Sequence, residues 1–401
     1  MPRAHASSGP LLALAYLAFV SLGLPDAVLG VAWPSLRAEF GLPRALLGAP
    51  LALAAAAYFT SGLLAGRLLR GLGVGLLLAG STALVAAGVL STAAAPAFAL
   101  VLLAAPLVGF GSGAIDSALN TYAAHHFSAR HMSWLHAAYA AGATAGPAIM
   151  TAVLGAGGSW RAGYAVVAAL LGALVLAFSA ARGRWEAGRE EPVLGDAPGG
   201  VGPLPLEGPA LGGLAALRSG RVWLQVGLFF FYSGLEVSAG QWSYTLLTEA
   251  RGLDAAAAGT WVSAYWGGLL AGRLLLGFVV ERVGQVRLLR LATLGTLLAV
   301  LLLALPGLRW SVAALPLLSF SLASIFPGLM AETPRRVGGA LAPHAVGFQV
   351  SAATLGVAVV PSVAGLAAAR FGLEAIGAVL VGCAGVLALL HEWLVARDAA
   401  A

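Results

Sequence analysis

Long apolar stretches alternate with short polar segments along most of this chain. Each stretch has about 20 residues or more, the length that an α-helix needs to cross the hydrocarbon core of a bilayer. Glycine and alanine are abundant inside the stretches, and such small residues permit close contact between helices in lipid. The pattern predicts an all-α membrane protein with twelve transmembrane helices, at residues 11–33, 45–69, 74–94, 97–124, 133–155, 160–182, 219–246, 256–280, 286–306, 308–332, 343–369 and 371–396.

The same ten-residue pattern occurs twice, half a chain apart. Residues 62–71 read GLLAGRLLRG and residues 268–277 read GLLAGRLLLG, so nine of the ten positions are identical at an offset of 206. A repeat at this distance indicates that one large unit was duplicated, because solenoids repeat at much shorter periods. In a strongly apolar chain, duplicated halves are typical of secondary transporters built from two related helical bundles.

Residues 183–218 interrupt the apolar pattern. This segment is rich in Gly, Pro and charged residues and repeats no apolar face, so it is predicted to be a flexible or partly ordered cytoplasmic linker. It divides the chain into a first six-helix bundle at residues 1–182 and a second six-helix bundle at residues 219–401. The two bundles have 182 and 183 residues, which agrees with the duplication.

The composition excludes a soluble protein. Hydrophobic residues make up 60% of the chain and charged residues 9%, whereas soluble domains have about 25% charged residues. The single Cys383 excludes an intramolecular disulfide, and no spacing resembles a metal site, so neither a metal nor another cofactor is expected. The net charge of +6 is spread over short loops, without the basic clusters and interleaved aromatics of nucleic-acid-binding proteins. The expected environment is the lipid bilayer.

All 22 basic residues are arginines, and their distribution predicts the orientation of the protein. If both termini lie on one side, six arginines fall on the opposite side, namely Arg37, Arg44, Arg161, Arg251, Arg309 and Arg370. The other sixteen (22 minus six), Arg273 among them, fall on the side of the termini. By the positive-inside rule that side is cytoplasmic, which predicts a multi-pass protein of a bacterial-type plasma (inner) membrane. This assignment leaves no arginine in the middle of a helix.

A motif follows the second predicted helix of each half. The second half reads Gly277-Phe-Val-Val-Glu281-Arg282-Val-Gly284-Gln-Val-Arg287, and the first half reads Gly62-Leu-Leu-Ala-Gly66-Arg67-Leu-Leu-Arg70. Together with twelve helices in two related sixes, these segments resemble the major facilitator superfamily (MFS), whose loop runs Gly, three residues, Asp-Arg, one residue, Gly and then basic residues. The resemblance implies the MFS fold, with two pseudo-symmetric bundles. It also implies a conformational latch between the bundles, formed here by Arg67, Arg70, Glu281 and Arg282, although Gly66 replaces the acid in the first half.

Three acidic residues fall well away from the ends of the predicted helices and are the best candidates for a site in the membrane: Asp26 in helix 1, Asp116 in helix 4 and Glu236 in helix 7. A charged group in the bilayer core is costly and is rarely accidental. Without a cationic partner, low-dielectric surroundings favour the neutral form of a carboxyl, and such a group can bind and release a transported proton. The alternative is that these acids cap helix kinks or hydrogen-bond to neighbouring helices, and Pro25 beside Asp26 implies an irregular helix.

Asp116 is the strongest of these candidates because Asn120 follows it by four residues, on the same face of a helix. A carboxyl and an amide together can hold a polyhydroxylated ligand while the carboxyl titrates. An acid four residues before Asn in helix 4, an acid in helix 1 and the segment Ser324-Ile-Phe-Pro327 in helix 10 resemble the fucose:proton symporter branch of the superfamily. That resemblance implies proton coupling and sugar binding for Asp116 and Asp26, whereas the coupling role of Glu236 is inferred only from its burial.

Polar and aromatic residues of the second half extend the expected substrate site. They are Gln241 and Tyr244 in helix 7, Tyr265 and Trp266 in helix 8 and Gln349 in helix 11. Aromatic faces flanked by amides suit sugars, whose C–H faces stack while their hydroxyls form directed hydrogen bonds. The alternative for each aromatic residue is a place in the interfacial belt or in helix packing.

These features predict a proton-coupled secondary active transporter that takes up a sugar or polyol-like solute by symport, with two bundles rocking around a central site. The alternative is proton-driven efflux of amphipathic drugs or lipids, which a mainly apolar cavity would favour. An enzyme is not expected, because the sequence has no metal-ligand cluster and no catalytic motif in a convincing context. Single acids instead of charged rings argue against a channel. The expected partners are a small solute, protons and lipid, and the expected state is a monomer.

Overall fold

The computed structural model describes residues 9–127, 129–185, 215–305, 309–338 and 341–399. Within these ranges the chain is helical and contains no β-strand. Most of the predicted linker, residues 186–214, lies outside the described residues, so its character stays a prediction.

Six α-helices form the described part of the first half. They are α1 (Gly9–Asp26), α2 (Val28–Glu39), α3 (Gly48–Ala93), α4 (Phe98–His126), α5 (Ala129–Gly155) and α6 (Trp160–Ala181), with short 3₁₀ turns at Arg44–Leu47 and Arg182–Arg184. The apolar pattern predicts one helix over residues 11–33, but α1 ends at Asp26 and α2 begins at Val28. Pro25 lies one residue before the end of α1, where its missing N–H and its ring weaken a helix.

The helix α3 contains two of the predicted segments, 45–69 and 74–94. Gly73 interrupts it with φ 70° and ψ 168°, a backbone conformation that residues with a Cβ atom rarely adopt. A straight helix of 46 residues would be about 69 Å long, more than twice the roughly 30 Å of a hydrocarbon core. Gly73 therefore divides α3 into two segments, each long enough to span a bilayer.

Seven helices longer than one turn form the second half within the residues that the structure describes. They are α7 (Gly220–Thr245), α8 (Ala255–Val283), α9 (Gln285–Leu303), α10 (Ala314–Leu322), α11 (Ile325–Val337), α12 (Ala342–Phe371) and α13 (Ala375–Ala399). A π turn at Leu246–Ala250 extends α7, and a 3₁₀ turn at Arg309–Ala313 precedes α10. The predicted helix over 308–332 is broken at Ala323 and Ser324. Pro327 explains the break, because a proline ring clashes with the carbonyl four residues earlier, here that of Ala323.

Ten helical segments of the described chain are long and apolar enough to cross a bilayer. They include α1–α2 as one segment and Arg44–Ala93 as one segment of 50 residues, and they leave out α8. Large apolar side chains are exposed around the assembly, among them Leu103, Leu176, Phe278, Leu366 and Leu389. Extensive exposed apolar surface requires a lipid environment, so the protein is a multi-pass integral membrane protein.

The helix ends define two faces. We call the face with the helix ends Gly9 and Ala399 the terminal face and the opposite one the distal face. On the distal face, Arg161 binds Glu39 at 2.7 Å in the first half, and Arg251 binds Glu374 at 2.9 Å in the second. Each arginine also donates to a backbone carbonyl at the end of α3 or α9. The two halves therefore use the same bridge with the acid and the base exchanged, as expected for a diverged duplication.

Small residues bring the helices around the site into close contact. A Cβ atom added at Gly23 of α1 would collide with the backbone of Tyr139, and one at Gly142 of α5 with the backbone of Val20. α1 and α5 therefore touch backbone to backbone, as small residues permit in membrane helices. Between the halves, α5 packs against α8, α3 against α12 and α2 against α7. These three contacts enclose the space between the two halves.

Candidate transport site

Asp116 of α4 is the centre of the first group of polar side chains. The Tyr58 hydroxyl donates to its Oδ2 at 2.7 Å, and Asn120 Nδ2 donates to its Oδ1 at 3.0 Å. Asn120 comes from the next turn of the same helix, and Tyr58 comes from the neighbouring α3. Both donors are neutral, so the charge of an ionised Asp116 is not cancelled by these partners.

Asp26, the last residue of α1, lies close enough to Asp116 for the two carboxyls to interact electrostatically. Its Oδ2 accepts a hydrogen bond from the Tyr139 hydroxyl of α5 at 3.1 Å. Its backbone carbonyl accepts one from Gln241 Nε2 of the second half at 2.7 Å. At the break between α1 and α2, Asp26 therefore bonds to the first half through its carboxyl and to the second half through its backbone carbonyl.

Glu236 of α7 is more enclosed, with 8% of its surface exposed. Its Oε2 accepts a hydrogen bond from the Tyr232 hydroxyl one turn earlier. The Tyr265 hydroxyl of α8 donates to the Glu236 backbone carbonyl at 2.7 Å. Two tyrosines therefore hold this part of α7, one at its carboxyl and one at its backbone.

Arg273 corrects the prediction that no arginine falls in the middle of a helix. It lies ten residues before the end of α8 at Val283, about 15 Å along the helix from the terminal face. Its Nη1 donates to the His136 carbonyl of α5 at 3.0 Å, and its guanidinium lies over the Tyr139 ring, 5.5 Å from the centroid. It also interacts electrostatically with Asp116 and Glu236. The side chain therefore reaches from the second half into the polar site.

The sequence indicated that Arg273 lies within a helix, but counting the arginines on each side of the membrane assigned it to the side of the termini. The predicted helix 256–280 continues for seven residues beyond it, about 10 Å of helix, and the arginine is part of the repeated motif. Tyr58, Tyr139 and Tyr232 were missed for a different reason. A tyrosine in an apolar run has no sequence signature that separates packing from a role in a site.

The polar groups are deep inside the assembly and yet accessible. Asp26 is exposed, and Tyr58, Asp116, Asn120 and Tyr139 are partly exposed, although each hydrogen-bonds to a neighbour inside the assembly. These side chains lie inside the assembly and are nevertheless accessible to solvent, so they line a space between the helices. This space lies between α1, α3, α4 and α5 of the first half and α8 of the second.

The expected substrate-binding residues of the second half are less accessible than those of the first. Tyr244, Tyr265 and Trp266 are buried, with exposed fractions of 5%, 0% and 2%. Gln349 is fully buried, and its Nε2 donates to Gln225 Oε1 and Thr333 Oγ1 within the second half. Gln241 is also buried and is bonded to the Asp26 carbonyl. In this conformation all five side chains are buried inside the assembly.

The expected latch between the halves is not among the ion pairs of the described residues. Arg67, Arg70 and Arg282 are exposed, and the ion pairs found in the described part of the chain include none of the three. The side chain of Glu281 lies outside the described residues. The latch therefore stays a prediction.

A different set of charges joins the halves at the distal face. Glu249 of the second half binds Arg37 at 2.6 Å and Arg44 at 2.9 Å, both from the first half. We call these three residues the distal clasp. The described hydrogen bonds between the halves are those of the clasp, of Gln241 with Asp26 and of Arg273 with His136. The clasp and the Gln241–Asp26 bond lie between the distal face and the middle of the helices, whereas the Arg273–His136 bond lies nearer the terminal face. The clasp therefore closes the distal side of the space.

The sequence was compared with protein families and with characterised proteins. A model of the Major Facilitator Superfamily matches residues 15–331 and 224–401. Bypass of stop codon protein 6 from Saccharomyces cerevisiae is 36% identical over 66 residues, 16% of this chain and 13% of that protein. A putative glucose/galactose transporter from Helicobacter pylori is 27% identical over 137 residues, 34% of this chain and 33% of that protein. The matched stretches thus span a third or less of each relative.

Solved structures match over nearly the whole length. FucP, the E. coli fucose:proton symporter, solved in an outward conformation, has a TM-score of 0.63 and 17% identity over 96% of this chain and 98% of that chain. The nucleoside transporter NupG has a TM-score of 0.72 and 15% identity over 96% of this chain and 98% of that chain. At such identities the likeness shows the fold alone. Because the family model matches most of the sequence and MFS transporters share its fold, the chain belongs to the Major Facilitator Superfamily and is a transporter, not an enzyme.

Proposed function

We propose that this protein is a proton-coupled symporter of a neutral polyhydroxylated solute, a sugar or polyol, and that it works by alternating access. The observation that carries the proposal is the environment of Asp116, which is partly exposed deep between the halves and bonded to Tyr58 and Asn120. A carboxyl in this position can bind a proton. The adjacent phenol and amide can exchange hydrogen bonds with the hydroxyls of a solute.

The accessible groups favour a polar solute over an amphipathic drug or lipid. Asp26, Tyr58, Asn120 and Tyr139 are all hydrogen-bonding groups. A site built to hydrogen-bond hydroxyls discriminates against ligands that lack them, because its polar groups would be left unpaired. The names of two similar proteins, a fucose:proton symporter and a putative glucose/galactose transporter, agree with this substrate class.

The proposal includes twelve membrane crossings in two six-helix bundles, at residues 1–182 and 219–401, joined by a linker at 183–218. α1–α2 forms one crossing, α10–α11 forms one, α3 forms two on either side of Gly73, and the other eight helices form one each. The terminal face is the cytoplasmic face of a plasma membrane, as the distribution of arginines favours. The transporting unit is a single chain.

In the proposed cycle, the solute and a proton enter from the distal side when the distal clasp is open. Protonation of Asp116, together with Asp26 or Glu236, removes charge from the site and lowers the barrier to closing the halves around the solute. The described conformation, with its closed distal side, corresponds to the stage of release. The solute leaves toward the terminal face, and the carboxyl returns its proton to water on that side.

The test is proton movement in proteoliposomes challenged with sugars, polyols, nucleosides and cationic amphipathic drugs. A sugar or polyol should drive proton uptake, seen as alkalinisation of the outer medium. Asp116→Asn should abolish this flux and leave the protein folded. Asp254→Asn is the matched control, because Asp254 caps α8 at the distal face by accepting from Ala257 N at 2.9 Å, and Asn is an equally good cap.

Two results would contradict the proposal. Unchanged flux in Asp116→Asn would remove Asp116 from the mechanism. A response to amphipathic drugs alone, with protons moving opposite to the drug, would replace symport with efflux.

A further inference from the structure

Arg273 joins the two halves at the polar site, where no carboxylate of the described residues forms an ion pair with it. The ion pairs of the described residues do not include it. Its observed partners are the His136 carbonyl and the Tyr139 ring, both on α5. Asp116 of the first half and Glu236 of the second lie within its electrostatic reach.

The contact of Arg273 with the His136 carbonyl competes with a second contact, in which Arg273 would bind a carboxylate. A guanidinium has five N–H donors and binds carboxylates more strongly than neutral acceptors. A charge at this depth is also costly unless it is paired. When a nearby carboxyl loses its proton, its attraction for Arg273 increases, whereas the attraction of the His136 carbonyl does not change.

Arg273 and Glu236 share a neighbouring side chain, that of Tyr232. Tyr232 donates to the Glu236 carboxyl and lies beside Arg273. On the other side, Tyr139 lies under the guanidinium and donates to Asp26. Arg273 is therefore next to the hydrogen-bond partners of two carboxyls and in the field of Asp116.

We propose that Arg273 is the positioning residue that couples protonation of these carboxyls to the relative movement of the halves. With the carboxyls protonated, Arg273 stays on the His136 carbonyl and holds α8 against α5. When a carboxyl releases its proton to water, Arg273 moves to the carboxylate and leaves α5. The contact between α5 and α8 thus depends on the proton. This inference rests on the proposed proton coupling.

The experiment measures the conformational equilibrium against pH without added solute. Spin labels at Leu72→Cys and Leu291→Cys, in a Cys383→Ala background, report the separation of the halves near the terminal face. Both positions are exposed, at 42% and 62%. An equilibrium coupled to one proton changes by up to about tenfold per pH unit. The purified full chain should show such a change between two distance populations.

Arg273→Gln should reduce this pH dependence to less than about twofold per unit, because the charge that responds to the carboxylate is gone. Arg273→Lys keeps the charge and should keep a pH response with a displaced midpoint. Arg370→Gln is the control, since Arg370 is exposed at the end of α12, where it lies over Phe371. The lysine variant keeps the test valid if Arg273→Gln does not fold.

The outcomes are separable. If Arg273→Gln responds to pH as the wild type does, the role of Arg273 is refuted while proton coupling stands. If Arg273→Lys folds but its ratio of distance populations changes by less than about twofold per pH unit, charge is not the relevant property and the inference fails. If the wild type itself shows no pH response, proton coupling and the inference both fail.

Discussion

At the scale of single residues, the spacing of Asp116 and Asn120 is the feature that the sequence made visible. Four residues along a helix place two side chains on one face, and Asn120 Nδ2 donates to Asp116 Oδ1. Tyr58, the other side chain that donates to Asp116, is 58 residues away from it in sequence. Its position depends on the packing of α3 against α4, so no local pattern could identify it.

Asn120→Ala should weaken solute binding while leaving transport coupled to protons. The variant loses one amide that can bond to a solute hydroxyl, worth about 1–1.5 kcal/mol, so the KM for the transported sugar or polyol should rise roughly tenfold. Thr260→Ala is the control, because Thr260 is exposed and bonds only to the carbonyl of Ala256 in its own helix. An unchanged KM would exclude Asn120 from the solute site.

At the scale of helices, the contact between α1 and α5 fixes the distance from Asp26 to Tyr139. Gly23 and Gly142 allow the two backbones to touch, which sets the side chains of Asp26 and Tyr139 within hydrogen-bonding distance. Composition indicates that such close contacts exist, because glycine is abundant. It does not indicate which glycines form them, since that depends on how each helix is rotated.

Gly142→Ala should therefore destabilise the protein. The added methyl group collides with the backbone of Val20, and overpacking of this kind costs about 1–3 kcal/mol. The melting temperature in detergent should fall and active protein should be recovered in lower yield. Gly172→Ala is the matched control, because nothing lies within 4 Å of a Cβ atom at Gly172 of α6. Equal melting temperatures for the two variants would contradict backbone contact between α1 and α5.

At the scale of the whole molecule, the distal clasp shows which side of the space is closed. Glu249 binds two arginines that lie 205 and 212 residues away in sequence, so the clasp exists only when the halves meet. The bridge of Arg251 with Glu374 lies on the same face but within the second half. Breaking the clasp should change the conformational equilibrium, and breaking the internal bridge should change only the stability of one half.

Glu249→Gln should favour opening of the distal side. Two partly exposed ion pairs together contribute about 1–2 kcal/mol, so the ratio of open to closed forms should rise roughly tenfold. Spin labels at Pro43→Cys and Ala256→Cys, both exposed at the distal face, report this ratio. Glu374→Gln should leave the ratio unchanged. A larger shift with Glu374→Gln than with Glu249→Gln would show that the clasp does not hold the halves.

The sequence by itself determined the class of protein and the approximate extent of most helices. Apolar runs of about 20 residues can satisfy their backbone hydrogen bonds in lipid only as helices, and the repeat of GLLAGRLLRG as GLLAGRLLLG predicted two duplicated halves. It also placed Asp116 and Asn120 side by side, because a helix fixes the relation between residues four positions apart; their roles in transport stay predictions.

Only the tertiary structure decided how the charged and polar groups are partnered. Arg273 was expected at the terminal face and instead lies against α5. Gln349 was predicted in the substrate site, which stays a prediction, and in this conformation it is bonded to Gln225 and Thr333. The physical reason is the same in both cases. Spacing along a helix fixes the direction of a side chain relative to its own axis, but its partner depends on the rotation, tilt and depth of the neighbouring helices, which many weak contacts set together.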